Sequence, residues 1–280
     1  MKKIIAMLLA LMLVLTCFAA CGSAPAADEA GSNDAVQADD SQTADDGSDL
    51  AFVQSNGKLV VGITDYAPMD YKDDNGEWTG FDAEFARLFA EELGVECEFF
   101  VLADWGKKIF ELDSKNIDCV WNGMTITEEI LLTSSVSDPY VINAQVVVMK
   151  ADVVGNYADA ESMKDLTFAV ESGSAGEAAL NDAGLTKYVA VQDQGAAVME
   201  VAAGTSDACV IDITMANAMT GEGTSYADLT YNLSLTSEEY GVSFRKDSDL
   251  TVKFNDFMAK LMADGTLDAL AAKYNLTLAN

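Results

Sequence analysis

From Lys58 onward, short and nearly continuous apolar runs alternate with stretches whose apolar residues recur at helical spacing. Runs of that kind fit strands covered on both faces, and their alternation with helices predicts an α/β fold built on parallel strands. KLVVGIT at 58–64 predicts the first strand. After a loop holding Pro68 and the turn pair Asn75-Gly76, the residues Phe81, Phe85, Leu88, Phe89 and Leu93 mark a helix that Gly94 stops. A strand at 97–102, a helix at 104–114 and a strand at 118–121 follow. Thr127 stands where it caps a helix opening with Glu128 and Glu129, acids that favour a first turn.

The second half repeats the first: strands at 145–149, 166–170, 188–191 and 208–211, with helices at 174–180 and 195–203. IDCVWNGMTIT at 117–127 and SDACVIDITMA at 206–216 share one pattern. In each a helix ends, an Asp opens a buried strand, and polar groups appear where that strand runs out. Ligand sites of α/β sheets lie at the C-terminal ends of parallel strands, so two such halves predict two lobes facing one cleft. The remainder, a strand at 241–244 and helices carrying Leu250, Phe254, Phe257, Met258 and Leu261 and ending at Tyr274, has too few strands for a third domain. It is expected to return to the first lobe. The predicted division is 57–146 with 240–280 as lobe 1 and 147–239 as lobe 2. Two crossings, near 144–150 and 234–240, would then hinge the lobes around a ligand.

The residues before Lys58 follow another pattern. Lys2 and Lys3 precede an unbroken apolar run at 4–15, shorter than the roughly 20 residues a spanning helix needs. The small pair Ala19-Ala20 then precedes Cys21, which predicts an export signal at 1–20. FAACGS at 18–23 resembles a bacterial lipobox, which implies that Cys21 is lipidated and becomes the first residue of the mature protein. Phe18 occupies a position where Leu is more usual, and an ordinary secretory signal with a bystander cysteine is the alternative. Residues 22–56 are rich in Ala, Ser, Gly and Asp and contain neither Lys nor Arg. Such a segment repels itself and buries no core, so 21–56 is expected to be a disordered acidic tether that holds the domain to the extracellular face of the membrane.

A formal net charge of −30 excludes nucleic acid as a partner, since phosphates are neutralised by clustered Lys and Arg. The chain has no His, the commonest general base and metal ligand, and neither a metal nor a cofactor is expected. Cys97, Cys119 and Cys209 sit in apolar runs and are expected as buried thiols. A Cys97–Cys119 disulfide stays open, because sequence does not give its geometry.

The ordered series VVGITDYAPMDY, GFDAEFARLFAEELG, NGMTIT, SDPY, QVVVM, FAVESGSAGEAAL, SDACVIDITMA, YGVSFRK and ADGTLDAL resembles the type II periplasmic solute-binding proteins of polar amino acid ABC transporters, bacterial extracellular solute-binding protein family 3. The match covers nearly all of 58–274, and its specificity lies in the order of the motifs. It implies a two-lobed periplasmic-binding-protein fold, a monomer, a small-molecule ligand such as an amino acid, and an ABC transporter permease as partner. Two aromatic residues sandwich the ligand in that family, and the matching positions are Tyr66 and Trp105; each also suits a core. Asn122, Gly123, Met124 and Thr125 match the segment that supplies backbone and hydroxyl contacts, although the Thr125 hydroxyl could be satisfied by its own loop. Gly173, Ser174, Ala175 and Gly176 open a helix whose N–H groups suit an anionic group. Asp212 matches the carboxylate that binds the ligand ammonium, a cap on the following helix being the alternative, and Asp65 is a weaker candidate for the same role.

One departure alters the expected ligand. Relatives that bind α-amino acids usually carry Arg after the TIT segment, where it grips the carboxylate in two-pronged fashion; the residue here is Ile130. Glu171 stands where some members have Lys, so positive charge is expected to be missing twice and acidic solutes to bind worst. A dehydratase-like enzyme on the same fold and an extracellular solute sensor are the competing functions. The first is disfavoured by the lack of His and of a nucleophile beside a base.

Overall fold

The computed structural model describes residues 47–279. The expected signal peptide at 1–20, Cys21 and the tether as far as 46 lie outside the described residues. The last part of that expected tether is folded instead, as helix α1 (Asp49–Asn56). The Ser48 hydroxyl accepts from Ala51 N at its start, and Gly57, at φ 70, closes it. Val53 is buried there, and Asp49 accepts from Arg245 Nε at 2.8 Å. The sequence concealed this helix because its anchoring partner lies 196 residues further on.

Strand β1 (Lys58–Ile63) opens the first sheet. The loop after it folds into a small hairpin, β2 (Tyr71–Lys72) and β3 (Trp78–Thr79), over the Asn75-Gly76 turn. Helix α2 (Phe81–Leu93) follows, with Gly94 at φ 75 donating to the carbonyls of Ala90 and Glu91. Then come β4 (Glu96–Val101), a 3₁₀ turn at Trp105–Lys107 leading into α3 (Lys108–Asp113), β5 (Cys119–Val120), α4 (Glu128–Thr133), β6 (Ser135–Val136) and β7 (Val141–Asn143). The Thr127 hydroxyl caps α4, as the sequence predicts, by accepting from Ile130 N.

The second sheet begins with β8 (Gln145–Lys150), followed by β9 (Phe168–Glu171), α5 (Ala175–Asp182), β10 (Tyr188–Val191), α6 (Gln194–Ala203), β11 (Ala208–Asp212), α7 (Ile213–Met219) and β12 (Leu229–Ser234). The chain returns through β13 (Glu238–Tyr240) and β14 (Ser243–Phe244) and ends in α8 (Leu250–Ala263) and α9 (Thr266–Lys273). Sheet orders are β4-β1-β5-β14-β6 and β10-β9-β11-β8-β12.

Both sheets are mixed rather than wholly parallel. Strands linked by helices, β4, β1 and β5 in one and β10, β9 and β11 in the other, run parallel. Strands that enter from the opposite lobe need no helical crossover, so β14 and β8 run antiparallel to them. Gln145 and Val146 pair with Asp212 and Ile211, which starts the second sheet two residues before the expected boundary at 147. Between the sheets, β7 and β13 form a two-stranded antiparallel ribbon, with Glu238 opposite Asn143; β13 falls within the crossing expected at 234–240, whereas β7 precedes the one expected at 144–150, where residues 145–150 form β8 of the second sheet instead.

Helix α8 packs on the first lobe. Phe254 lies 5.2 Å from Phe89 and 4.9 Å from Trp121, ring centre to ring centre. Each such fully buried aromatic contributes roughly 1.5–3 kcal/mol relative to exposure. Cys97 and Cys119 face Leu59 and Val61 on opposite edges of β1, with that strand between them, and both are free thiols, as is Cys209. No helix among the described residues is long and apolar enough to cross a membrane.

Candidate functional site

The C-terminal ends of β1, β4 and β5 face those of β9 and β11 across a cavity of about 470 Å³. Of the residues that the sequence marks as ligand candidates, Asp65, Tyr66, Trp105, Asn122, Gly123, Met124, Thr125, Gly173, Ser174, Ala175 and Asp212 line it, and Gly176 does not. Their polar groups are engaged differently from the expectation at several of these positions.

On the first lobe, the Tyr66 hydroxyl lies 2.5 Å from both Thr214 Oγ1 and Tyr240 Oη, which ties the loop after β1 to α7 of the second lobe. Burial is the main reason its proton is held well above the ordinary tyrosine range. Asn122 turns inward. Its Oδ1 accepts from Thr64 Oγ1 at 2.6 Å and its Nδ2 donates to Asp70 Oδ2 at 2.7 Å. The Gly123 N–H also points inward, to Asp82 Oδ2 at 2.6 Å. Gly123 sits at φ +55, and a Cβ there would stand 2.6 Å from the Tyr66 ring. The absent side chain therefore admits an aromatic ring, where the sequence anticipates close approach of a ligand. The Thr125 hydroxyl donates to Glu238 Oε1 at 2.8 Å, so it is satisfied by the inter-lobe ribbon rather than by its own loop.

Trp105 packs with Leu112, Met124 and Ile130 and still lines the cavity. Asp104 fixes its turn by accepting from Gly106 N at 3.0 Å. Ile130 belongs to the same apolar cluster and is 7% exposed.

On the second lobe, Asp212 ends β11 fully enclosed. Its carboxylate accepts from Asn143 Nδ2, from Gln194 Nε2 and, at 2.6 Å, from Gln145 Nε2. It makes no side-chain cap on α7. Burial, reinforced by Glu238, raises its pKa to about 6 despite the three amide donors. Glu238 shares two of those donors, Asn143 at 2.7 Å and Gln145 at 2.6 Å, so the cavity floor and the ribbon form one hydrogen-bonded network. The Ser174 hydroxyl caps α5 by accepting from Glu177 N, and Glu177 accepts in turn from Gly173 N. A carboxylate thus already sits at the helix start that the sequence offers to an anion. Asp65 is exposed on the rim, its pKa raised by partial burial and by Asp193 and held back by Lys72.

The sequence reading finds no cation near the site, and the structure corrects it. Lys108, in the first turn of α3, lines the cavity and is 9% exposed. Its ammonium lies over the Trp105 ring, 4.6 Å from the centroid, and donates to the carbonyls of Trp105 at 3.3 Å and Gly173 at 3.4 Å. Burial lowers its pKa to about 8, against the pull of Glu171, Glu129 and Asp104. The three-residue spacing from Trp105 was the available signal, since helical neighbours at that spacing share a face. Glu171, at the end of β9, is 4% exposed and also lines the cavity. Burial, then Asp212 and Asp193, push its pKa up to about 8, with Lys108 opposing. Five carboxylates, those of Asp65, Glu128, Glu129, Glu171 and Asp212, therefore face one ammonium, an arrangement that favours a cationic or zwitterionic guest over an acidic one.

At the lip of the cleft, Gly106 of one lobe meets Gly173 of the other. A Cβ on Gly173 would stand 2.8 Å from Gly106 Cα.

Residues 59–277 match the family model described as bacterial extracellular solute-binding proteins, family 3. The chain is 32% identical over 229 residues to the L-cystine-binding protein TcyJ of Escherichia coli strain K12, covering 80% of this chain and 85% of that protein. It is 32% identical over 228 residues to the arginine-binding extracellular protein ArtP of Bacillus subtilis strain 168, covering 78% and 86%. Among solved structures, the ancestral amino acid-binding protein AncCDT-1, a precursor of cyclohexadienyl dehydratase, superposes with a TM-score of 0.74 at 32% identity, covering 81% of this chain and 99% of that one.

Proposed function

The chain belongs to the bacterial extracellular solute-binding proteins, family 3, and from that premise we propose that it captures an amino acid, or a close analogue, of zero or positive net charge and delivers it to an ABC importer. The excess of carboxylates over ammonium in the cavity lining carries this reading. The relatives named for cystine and arginine binding agree with an amino acid as guest. Asp212 takes the ammonium, Trp105 gives an apolar wall, and Lys108 receives the carboxylate. The protein acts as a monomeric binder whose lobes close about the β7–β13 ribbon. A dehydratase-like activity is the weaker reading, because the cavity offers no His and no nucleophile beside a base.

A thermal-shift screen of amino acids and small amines tests this. A guest at about 100 times its Kd stabilises by about 2.7 kcal/mol, which for a domain of this size raises Tm by roughly 5–10 °C. Basic and neutral amino acids are expected to produce the shift, glutamate and aspartate to produce none. A larger shift with glutamate than with any basic or neutral amino acid would reject the reading.

The location follows from the N-terminal residues: Cys21 carries lipid and anchors the mature chain to the outer face of the cell membrane. A Cys21→Ala chain is expected either to remain an uncleaved precursor or to leave the detergent phase in phase partitioning. Retention of a cleaved Cys21→Ala chain in the detergent phase contradicts the anchor.

A further inference from the structure

Glu238, in the ribbon strand β13, does not line the cavity, yet it is joined to a carboxylate that does. Its Oε1 accepts from Asn143 Nδ2 at 2.7 Å, from Gln145 Nε2 at 2.6 Å and from the Thr125 hydroxyl at 2.8 Å. Its Oε2 accepts from the Thr236 hydroxyl at 3.0 Å. Asn143 Nδ2 and Gln145 Nε2 also donate to Asp212 Oδ1. An amide nitrogen carries two hydrogens, so each of these side chains gives one to either carboxylate. The two acids are thereby bridged twice.

Such a pair is unfavourable in itself. Like charges brought together in an enclosed site oppose each other's ionisation, and the side-chain oxygen of a Gln at 238 could accept from the same donors without a charge. Nothing in the protein offsets it: neither carboxylate forms an ion pair among the described residues. The titratable groups that face Asp212 are Glu238 from β13, Glu171 from β9, Tyr66 from the loop after β1 and Tyr240 at the end of β13. From α6, β7 and β8 come the amides of Gln194, Asn143 and Gln145. Lys108 and Asp193 act on Glu171 instead. Paired charge that lacks a counter-charge and meets a cavity through Asp212 is suited to a cation that comes and goes.

Resting on the reading of Asp212 as the seat of the guest's ammonium, we propose that Glu238 is a positioning residue for that seat, fixing the two bridging amides and supplying the second negative charge that holds the ammonium. The seat then empties on acidification. Burial, followed by Glu238, holds the Asp212 pKa up at about 6, and a protonated Asp212 offers an ammonium no charge. Capture is full above that pH and weakens as pH falls through it.

Isothermal titration of the purified mature protein with L-arginine and L-glutamine, neither of which titrates between pH 5 and 7, tests the proposal. Glu171 and Lys108 keep their protons across that range, and groups remote from Glu238 titrate alike in every variant. With Asp212 half-ionised near pH 6, affinity of the unaltered protein at pH 5 should be about a tenth of that at pH 7. Glu238→Gln keeps the shape and removes the charge, which should bring the Asp212 midpoint to about pH 5 and reduce the fall in affinity to about twofold. At pH 7 that variant should bind roughly three- to tenfold more weakly, because the charge that opposed Asp212 also attracted the ammonium. Glu238→Met gives the same reading should the Gln variant not fold, and Glu238→Asp, which returns the charge, should return the steep pH dependence. A tenfold fall that persists without the Glu238 charge, undiminished affinity at pH 7 in those variants, or pH-independent affinity in the unaltered protein each overturns the role of Glu238 while leaving an amino-acid site in place. Failure of both uncharged variants to fold makes Glu238 structural and overturns it too. If neither probe binds, the guest with the largest shift in the thermal screen takes their place, and a blank screen overturns the proposed function as well.

Discussion

Arg245→Met is expected to destabilise the protein by about 3–5 kcal/mol, lowering Tm by roughly 6–20 °C. Arg245 is 7% exposed and binds two buried carboxylates, Asp49 at 2.8 Å and Asp118 at 3.1 Å. It also donates to the carbonyls of Ile117 at 2.7 Å and Leu112 at 3.3 Å. Asp118 in turn accepts from Val60 N at 2.9 Å, so one guanidinium joins α1, β1, β5 and the segment after β14. A methionine fills much of the same volume but leaves two enclosed carboxylates without a counter-charge. Asp49→Asn should cost less, because Arg245 keeps Asp118. Calorimetry at pH 7 decides: an Arg245→Met chain melting within 2 °C of the unaltered protein contradicts the role given to this cluster.

The second large effect separates binding from folding. Asp212→Asn is expected to weaken amino-acid binding by about 2–5 kcal/mol, the usual loss when one partner of a buried charge pair is neutralised, which is at least thirtyfold. The empty protein should lose no stability at pH 8. The folded pKa of Asp212 is raised to about 6 by burial and by Glu238. Its contribution to stability is therefore full below the unfolded value near 3.8 and lost as pH rises through about 6. Above that the ionised group is a burden, which Asn removes while keeping the shape. Titration calorimetry gives the affinity, and melting of the empty variant gives the stability. Undiminished affinity in Asp212→Asn removes Asp212 from the site.

The alternation of apolar runs with helical spacing made the two-lobed α/β plan legible before any coordinates, because both periodicities are local. The cap at Thr127, the stop at Gly94 and the return of the Phe254 helix to the first lobe were readable on the same ground. Less legible were features whose partners are distant in the chain. Helix α1 looked like tether because only Arg245 reveals why Asp49 is buried. Strand direction in β8 and β14 depends on the route between lobes and leaves no mark on composition. The order of the motifs marked residues that line the cavity, but not the direction of their polar groups: Asn122 and the Gly123 N–H serve the interior, and Thr125 serves Glu238. Lys108 escaped because a lysine in an amphipathic turn reads as solvated surface, and only tertiary packing under Trp105 encloses it.

The meeting of Gly106 and Gly173 bears on time rather than affinity. Where two backbones touch without side chains between them, the lip can shut with no gap wide enough for a solute to slip past. Departure then waits for the lobes to part, at a rate set by the ribbon and by how firmly the solute's contacts bridge the two lobes. Better contacts would lengthen occupancy only by keeping the lobes together. A permease that pulls the lobes apart would empty a tightly held guest almost as promptly as a loosely held one.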